Sequence, residues 1–335
     1  MISQNTNLHP TFLEAIETYG SPLYFYDSNK IITQVNTMRE AFRGVDLKLK
    51  YACKALTNIN ILKLMNQHGV DVDVVSIEEA HIALKSGYLP NQIQYTPSGV
   101  SFTEIEEAVS LGIKMNLDSI QLIEQFGERY GSSIDVCFRV NPSIMGGGNA
   151  KISVGHERSK FGIPYQQFDE VVQLVNKYNL KVTGLHQHTG SDFKNADIII
   201  DAAEVLYKLA FDYFPDLEFI DLGSGFKVAY SENDNVTDMM SLGQKVVDSF
   251  NGFVKAYGKP VQLWFEPGKF LVSEAGYLLT KATVIKHNPT VNFVGVDSGL
   301  NHLIRPMMYD AYHDIENISN PDGEKKMYNV VGYIC

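Results

Sequence analysis

Four short polar motifs carry most of the chemistry in this chain: YACKAL (51–56) around Lys54, HQHTGSD (186–192), DLGSGF (221–226) and EPGK (266–269). Each follows a stretch that reads as a strand. A lysine amine partly desolvated at a strand end loses its proton more readily and can attack an aldehyde. Gly223 and Gly225, flanking Ser224, leave backbone N–H groups free to converge on an anion, and Ser191 adds a hydroxyl. Glu266, ahead of the rigid Pro267-Gly268 turn, can bond a pyridine nitrogen and keep it protonated, while Lys269 suits a phosphate or a carboxylate. An imine-forming amine, an anion cradle and an acid for a ring nitrogen are together the needs of pyridoxal 5'-phosphate.

Each residue taken singly has a plainer explanation. A strand-end lysine often just snorkels to water, a lone GxG marks a tight turn, and Ser191 can bond its own turn. Glu266 could close the barrel end as a salt bridge. The combination outweighs them. His186 and His188 lie two apart and share a strand face, the spacing of a metal-binding pair. No nearby Asp, Glu or His set completes a coordination sphere in the sequence, so no metal is assigned. His188 is better used stacked on a flat cofactor ring, with His186 as its support. In VDSGLNHLIRPMMYDAYH (296–313), Arg305 can fork onto a carboxylate and Tyr309 can add a second contact, although an interdomain ion pair is the simpler use of the arginine.

The elements that must position these residues begin at residue 47. Candidate strands at 47–53, 70–75, 93–96, 113–117, 134–140, 181–187, 217–221 and 261–266 alternate with helix-period segments at 58–68, 77–86, 103–111, 119–130, 165–178, 195–213 and 240–257. Eight strands alternating with helices predict an α/β fold, a closed (β/α)8 TIM-type barrel. Lys54, Asp73, Arg139, His186, His188, Asp221, Gly223, Gly225 and Glu266 all fall at or just past C-terminal strand ends, the rim where barrel enzymes build their sites. DLGSGF follows the seventh strand and EPGK the eighth, where phosphate commonly binds. The segments 277–287 and 291–297 alternate like half-buried strands, and 322–334 can hold another. With SPLYFYD (21–27) they predict a smaller β-domain made from both chain ends. The expected division is 1–28 (an N-terminal contribution to that β-domain), 29–275 (the barrel) and 276–335 (its C-terminal part).

Composition narrows the class. The 335 residues have an ordinary apolar fraction, and a net charge of −11 speaks against a nucleic-acid or anionic-membrane surface. Cys53, Cys137 and Cys335 are scattered without CxxC spacing, as in a reducing compartment. The first residues lack the basic region and apolar core of a secretory signal, and no stretch is long enough to span a bilayer. A cytoplasmic protein is expected.

Beyond the four motifs, DVVSIEEA, NPSIMGGGNAKISVGHERSKFGI, VDSGLNHLIRPMMYDAYH and VVGYIC closely resemble the diaminopimelate decarboxylase family, within the alanine-racemase-like barrels of fold type III. The likeness runs from SPLYFYD to the last residue. It implies that Lys54 forms the imine and that His188 stacks on the ring. It also implies that Asp73, Arg139, Ser191, Gly223, Ser224, Gly225 and Glu266 to Lys269 hold the cofactor, with Glu266 at the ring nitrogen. Arg305, Tyr309 and Lys269 would bind an amino-acid substrate. In the family the fourth residue of EPGK is often arginine; Lys269 offers a point charge in place of a fork. Cys335 matches the cysteine of a family Cys-Glu-Ser motif, which crosses to the neighbouring subunit's site and donates the proton after carbon dioxide leaves. A homodimer with shared sites is implied. Tyr333 stands where proline is common. Nothing follows Cys335, so the chain reads as a C-terminally truncated member whose β-domain is incomplete. The expected activity is decarboxylation of meso-2,6-diaminopimelate to L-lysine, the last step of lysine biosynthesis, impaired if the truncation matters. The alternatives are a related ornithine, arginine or carboxynorspermidine type of decarboxylase, and a non-catalytic cofactor-binding remnant.

Overall fold

A computed structural model describes residues 6–145, 155–231 and 233–335. The stretch GGGNAKISV (146–154) of the longest family motif lies outside the described residues. The chain divides into two compact units, one of Asn29–Val228 with Val236–Ser273, the other of Met1–Ser28, Ala229–Asn235 and Glu274–Cys335.

The larger unit is the expected barrel. Its strands are β1 (Leu47–Ala52), β2 (Asp71–Val74), β3 (Ile93–Tyr95), β4 (Lys114–Leu117), β5 (Asp135–Asn141), β6 (Lys181–Gln187), β7 (Phe219–Asp221) and β8 (Gln262–Phe265). Each pairs in parallel with the next, and β8 returns to β1 at Leu263↔Leu47. Between them run helices over Ile59–Gln67, Ile77–Lys85, Phe102–Ser110, Ile120–Tyr130, Phe168–Tyr178, Asp197–Tyr213 and Met239–Tyr257. Their starts are written in the sequence. Asn58, Ser76, Ser119 and Asp238 each cap a helix by accepting a backbone N–H two or three residues on. A further helix, Ser28–Ala41, precedes β1 and is not announced by the alternation that begins at residue 47.

The barrel interior has a character that the strand ranges alone did not show: β1, β2 and β4 alternate with their polar residues turned inward. Lys50, Asp71, Asp73, Gln94, Asn116, Arg139, His186 and Asp221 are all buried. Strand register sets Lys50 beside Asp71, Asp73 beside Gln94, Arg139 beside His186 and His186 beside Asp221. The apolar alternate residues face the helices instead. Phe265 packs on Phe42 with ring centroids 4.5 Å apart, and Phe138 meets Phe214 at 6.3 Å. Burying each such side chain contributes roughly 1.5–3 kcal/mol, so the helix layer supplies the hydrophobic stability and the interior is left for polar groups.

An aromatic plug fills the lower interior. Phe219 and Trp264 stack with centroids 3.4 Å apart and planes 4° from parallel, beside buried Cys137. Gly184 of β6 makes the space, because a Cβ there would lie 2.0 Å from Phe219 Cζ.

In the other unit, Leu23–Tyr26 pairs antiparallel with Gly276–Leu279, so both chain ends contribute strands as expected. Phe12, from the helix His9–Tyr19, packs on Phe25 and Tyr277 at 5.1 and 4.8 Å. Ala282–His287, Asn292–Val296 and Asn329–Val331 form a three-stranded sheet. Ala282–His287 was expected to be half-buried but is exposed along its whole length. Alternation supplies an apolar face, and a three-stranded sheet hides that face only under a second layer.

Gly184→Ala is expected to lower stability by about 1–3 kcal/mol by forcing Phe219 off Trp264. The urea midpoint and near-ultraviolet circular dichroism of the variant check this; an unchanged midpoint would show that the plug tolerates a Cβ.

Candidate active site

The rim loops are tied together by the backbone before any side chain is considered. Phe193 N–H donates to Gly225 O (2.8 Å), joining the loops after β6 and β7. Glu266 N–H donates to Gly223 O (2.6 Å), and Ala52 N–H to Pro267 O (3.3 Å), carrying the connection on to β8 and β1. HTGSD, DLGSGF, EPGK and the start of YACKAL therefore become neighbours through main-chain bonds.

Lys54 lies on the single 3-10 turn Cys53–Ala55 directly after β1 and is exposed. Its charge acts on Asp73, His186, His188 and Glu266, which gathers residues from three other strands around one amine.

Glu266 is buried, and its Oε2 lies 3.0 Å from His186 Nε2. Burial alone would raise its carboxyl, but His186, a hydrogen bond from Asp221 and the Lys54 charge outweigh that and hold it well below the usual range. Asp221 goes the other way. Burial and then the Glu266 charge push it well above its ordinary value, so it keeps its proton and donates to Glu266. Asp73 is also raised, by burial and then by Glu266. Burial lowers His186, so its imidazole is neutral and its Nε2 carries the hydrogen given to Glu266. One negative charge thus sits in a nest of neutral acids and a neutral imidazole.

His188 is half-buried and driven well below its ordinary pKa by burial, then by Lys54 and Arg139. Its Nδ1 accepts the Ser224 N–H at 3.3 Å, which fixes the ring orientation. Arg139 is buried with its guanidinium 4.7 Å from the Phe161 ring centroid. Burial lowers its pKa against the pull of Glu266, Asp118, Asp73 and Asp221.

The fold also supplies what the sequence did not reveal. His186, Asp221 and Glu266 have donor atoms within 4.8 Å of one another, a set the HxH spacing alone left incomplete. His188 does not join it. His186 gives its hydrogen to Glu266, and Asp221 Oδ1 accepts the Gly223 N–H at 2.8 Å, so the three are engaged in proton sharing. Lys269 Nζ is 2.5 Å from Asp192 Oδ1, an ion pair no motif announced. Arg305, Tyr309 and Cys335 belong to the other unit. There Arg305 sits 4.4 Å over the Tyr230 ring and 3.2 Å from His313 Nε2, and Tyr309 and Cys335 are exposed.

The barrel residues fit pyridoxal phosphate on two structural grounds. Glu266 Oε1 is buried and accepts no N–H from the described residues, and an ionised carboxylate has room for a ring N–H beside the Asp221 proton. At Gly223 (φ +63°) and Gly225 (φ +144°) a Cβ would lie 2.5 Å from Gln187 O and 2.3 Å from Gly190 O. Only bare backbone can line that loop.

Residues 28–273 match the pyridoxal binding domain of the pyridoxal-dependent decarboxylases. Diaminopimelate decarboxylase of Methanothermobacter thermautotrophicus is 31% identical over 332 residues, covering 96% of this chain and 77% of the relative. The Helicobacter pylori enzyme is 33% identical over 331 residues, with 96% and 80% covered. The crystal structure of diaminopimelate decarboxylase from Helicobacter pylori complexed with L-lysine superposes with a TM-score of 0.87 at 31% identity, over 97% of this chain and 82% of that one. The chain belongs to the diaminopimelate decarboxylase family.

His186→Phe removes the hydrogen bond to an ionised carboxylate and should cost about 1.5–3 kcal/mol at neutral pH. The Glu266 contribution is present above the ordinary carboxyl range and is lost as pH falls through its depressed folded-state value. The variant's carboxyl takes up a proton first, so the gap to wild type should close on acidification. Asp221→Asn, which donates to Glu266 without titrating, should stay within about 1 kcal/mol of wild type. Denaturant titrations at neutral and acid pH decide; a His186→Phe protein as stable as wild type at neutral pH would show that the bond contributes nothing.

Proposed function

We propose that this chain removes one carboxyl group from meso-2,6-diaminopimelate to give L-lysine, using pyridoxal 5'-phosphate, as a cytoplasmic homodimer. The observation that carries the reading is the buried, ionised Glu266 facing the same rim as the Lys54 amine and the Gly223–Gly225 loop. Family membership and the lysine-bound Helicobacter relative support the substrate.

When bound, the cofactor supplies an aldehyde for amines and a protonated ring that accepts the electron pair left by departing carbon dioxide. The chain's residues divide the remaining work. Lys54 would tether the cofactor through its amine. Glu266 holds the proton on the ring nitrogen, kept ionised by His186 and Asp221. His188, neutral and oriented by the Ser224 N–H, would pack against the cofactor's ring. Ser191, Gly223, Ser224, Gly225 and the Glu266–Lys269 turn receive the phosphate side, with Asp73 and Arg139 completing the polar wall. Lys269, Arg305 and Tyr309 take the substrate carboxylates. Cys335 from a second copy holds the proton given to the α-carbon, and two copies are therefore required.

Borohydride reduction of the full chain with pyridoxal phosphate should leave the cofactor mass on the peptide bearing Lys54, and Lys54→Ala should abolish it. Carbon dioxide release should be greatest from meso-diaminopimelate among diaminopimelate, ornithine, arginine and carboxynorspermidine. A label on another lysine would refute the tether, and preference for ornithine would refute the substrate.

A further inference from the structure

A second lysine of the same strand is unexplained by this chemistry. Lys50 is fully buried inside the barrel, its Nζ makes no hydrogen bond to any described group, and it rests 4.2 Å over the Trp264 ring. It cannot snorkel, because no part of it reaches water. A buried ammonium without hydrogen bonds persists only where charge of opposite sign compensates it.

The groups facing it come from the surrounding strands. Asp71 on β2, Asp221 on β7 and Glu266 after β8 favour its charge; Lys114 on β4 opposes it. Asp73 and Cys137 also feel it. Asp71 is already matched, since its Oδ2 lies 3.1 Å from Lys48 Nζ. What remains is the Asp221–Glu266 carboxyl pair, and strand register puts Lys50 beside it: Trp264 pairs with Lys48 on β1 and with Asp221 on β7, so Lys50 and Glu266 stand level, each two residues further along parallel neighbours.

We propose that Lys50 is the buried counter-charge of the Glu266–Asp221 pair, a positioning residue that acts from inside the barrel on the carboxylate serving the cofactor's ring nitrogen. Trp264 holds the ammonium in place by cation–π attraction, which strengthens when the cation is desolvated. The role of Glu266 rests on the functional reading above; the coupling between Lys50 and Glu266 does not.

Trp264 is the chain's one tryptophan and reports on this lysine directly. Burial first, then Lys114, lowers the Lys50 pKa to about 8, against the pull of Asp71, Asp221 and Glu266. Emission from the full chain without added cofactor, followed between about pH 6 and about pH 10, should therefore titrate near that value. Lys50→Met should abolish the transition. Lys114→Met, which removes the other cation lowered by burial, 4.9 Å from the same ring, should keep it. Glu266→Gln deletes a charge that favours the ammonium and should move the midpoint down by roughly one pH unit. With cofactor, Lys50→Met should weaken pyridoxal phosphate binding about tenfold.

Flat wild-type emission, a transition surviving in Lys50→Met, or an unmoved midpoint in Glu266→Gln each overturns the coupling. Unchanged cofactor affinity in Lys50→Met overturns the positioning role. If Lys50→Met fails to fold, wild type and Glu266→Gln still decide the coupling. A wild-type chain that never binds pyridoxal phosphate sinks the functional reading alone, because the emission titration needs no cofactor.

Discussion

A single negative charge kept at the site end of the barrel, on Glu266, is the constraint on which the site depends. An isolated carboxylate cannot remain ionised in a low-dielectric interior; it takes up a proton instead. Glu266 stays charged because its neighbours are arranged as donors: a neutral imidazole on one oxygen, a protonated carboxyl nearby, and cations at Lys54 and Lys50. The same charge explains why Asp73 and Asp221 are pushed up rather than down. Three ionised carboxylates in one interior would repel each other strongly, so one ionises and the others keep their protons. The division of labour among these acids follows from who receives hydrogen bonds.

That arrangement requires a barrel with a polar lumen, which places an unusual demand on packing. Stability must come from outside, where Phe42, Phe138, Phe214 and Phe265 join helices to strands, and from the Phe219–Trp264 plug below the site. Gly184 leaves room for the Phe219 ring where any Cβ would collide with it. Trp264 stands two residues before Glu266 on the same strand face, so the plug and the carboxylate are fixed by one strand, and a shift in either would move the other.

The barrel was legible because its two periodicities are clean. Caps at Asn58, Ser76, Ser119 and Asp238 mark helix starts, and turn residues separate the strands. The rim motifs were legible because lysine, glycine pairs and glutamate at strand ends are chemically specific in combination. The inward set was not legible for a physical reason. LKLKY, VDVDV and KMNL alternate as a surface strand would, and only closure turns the polar side into a lumen. Whether such a pattern faces water or a barrel interior is a property of topology. Asp221 was noted only as a strand-end residue, since its protonation depends on Glu266, distant in sequence and adjacent through the β7–β8 pairing. The helix Ser28–Ala41 escaped because its polar face is broad and it lies before the alternation begins.

The Lys269–Asp192 pair shows how a rim can compensate for a changed residue. Where the family often has arginine, a lysine provides a compact charge on a flexible stem, without the planar fork that fixes a carboxylate in two bonds. Asp192 meets that charge at 2.5 Å from the loop after β6, with its own backbone in the left-handed region at φ +67°. Aspartate tolerates that conformation better than most residues, so the loop can aim a carboxylate where a larger or β-branched residue would be strained. Lys269 is thereby held to one direction by an anion instead of by its own shape. Any anionic group that approaches Lys269 must share it with Asp192. The direction of the Lys269 charge on this rim is therefore set jointly by the loops after β6 and β8.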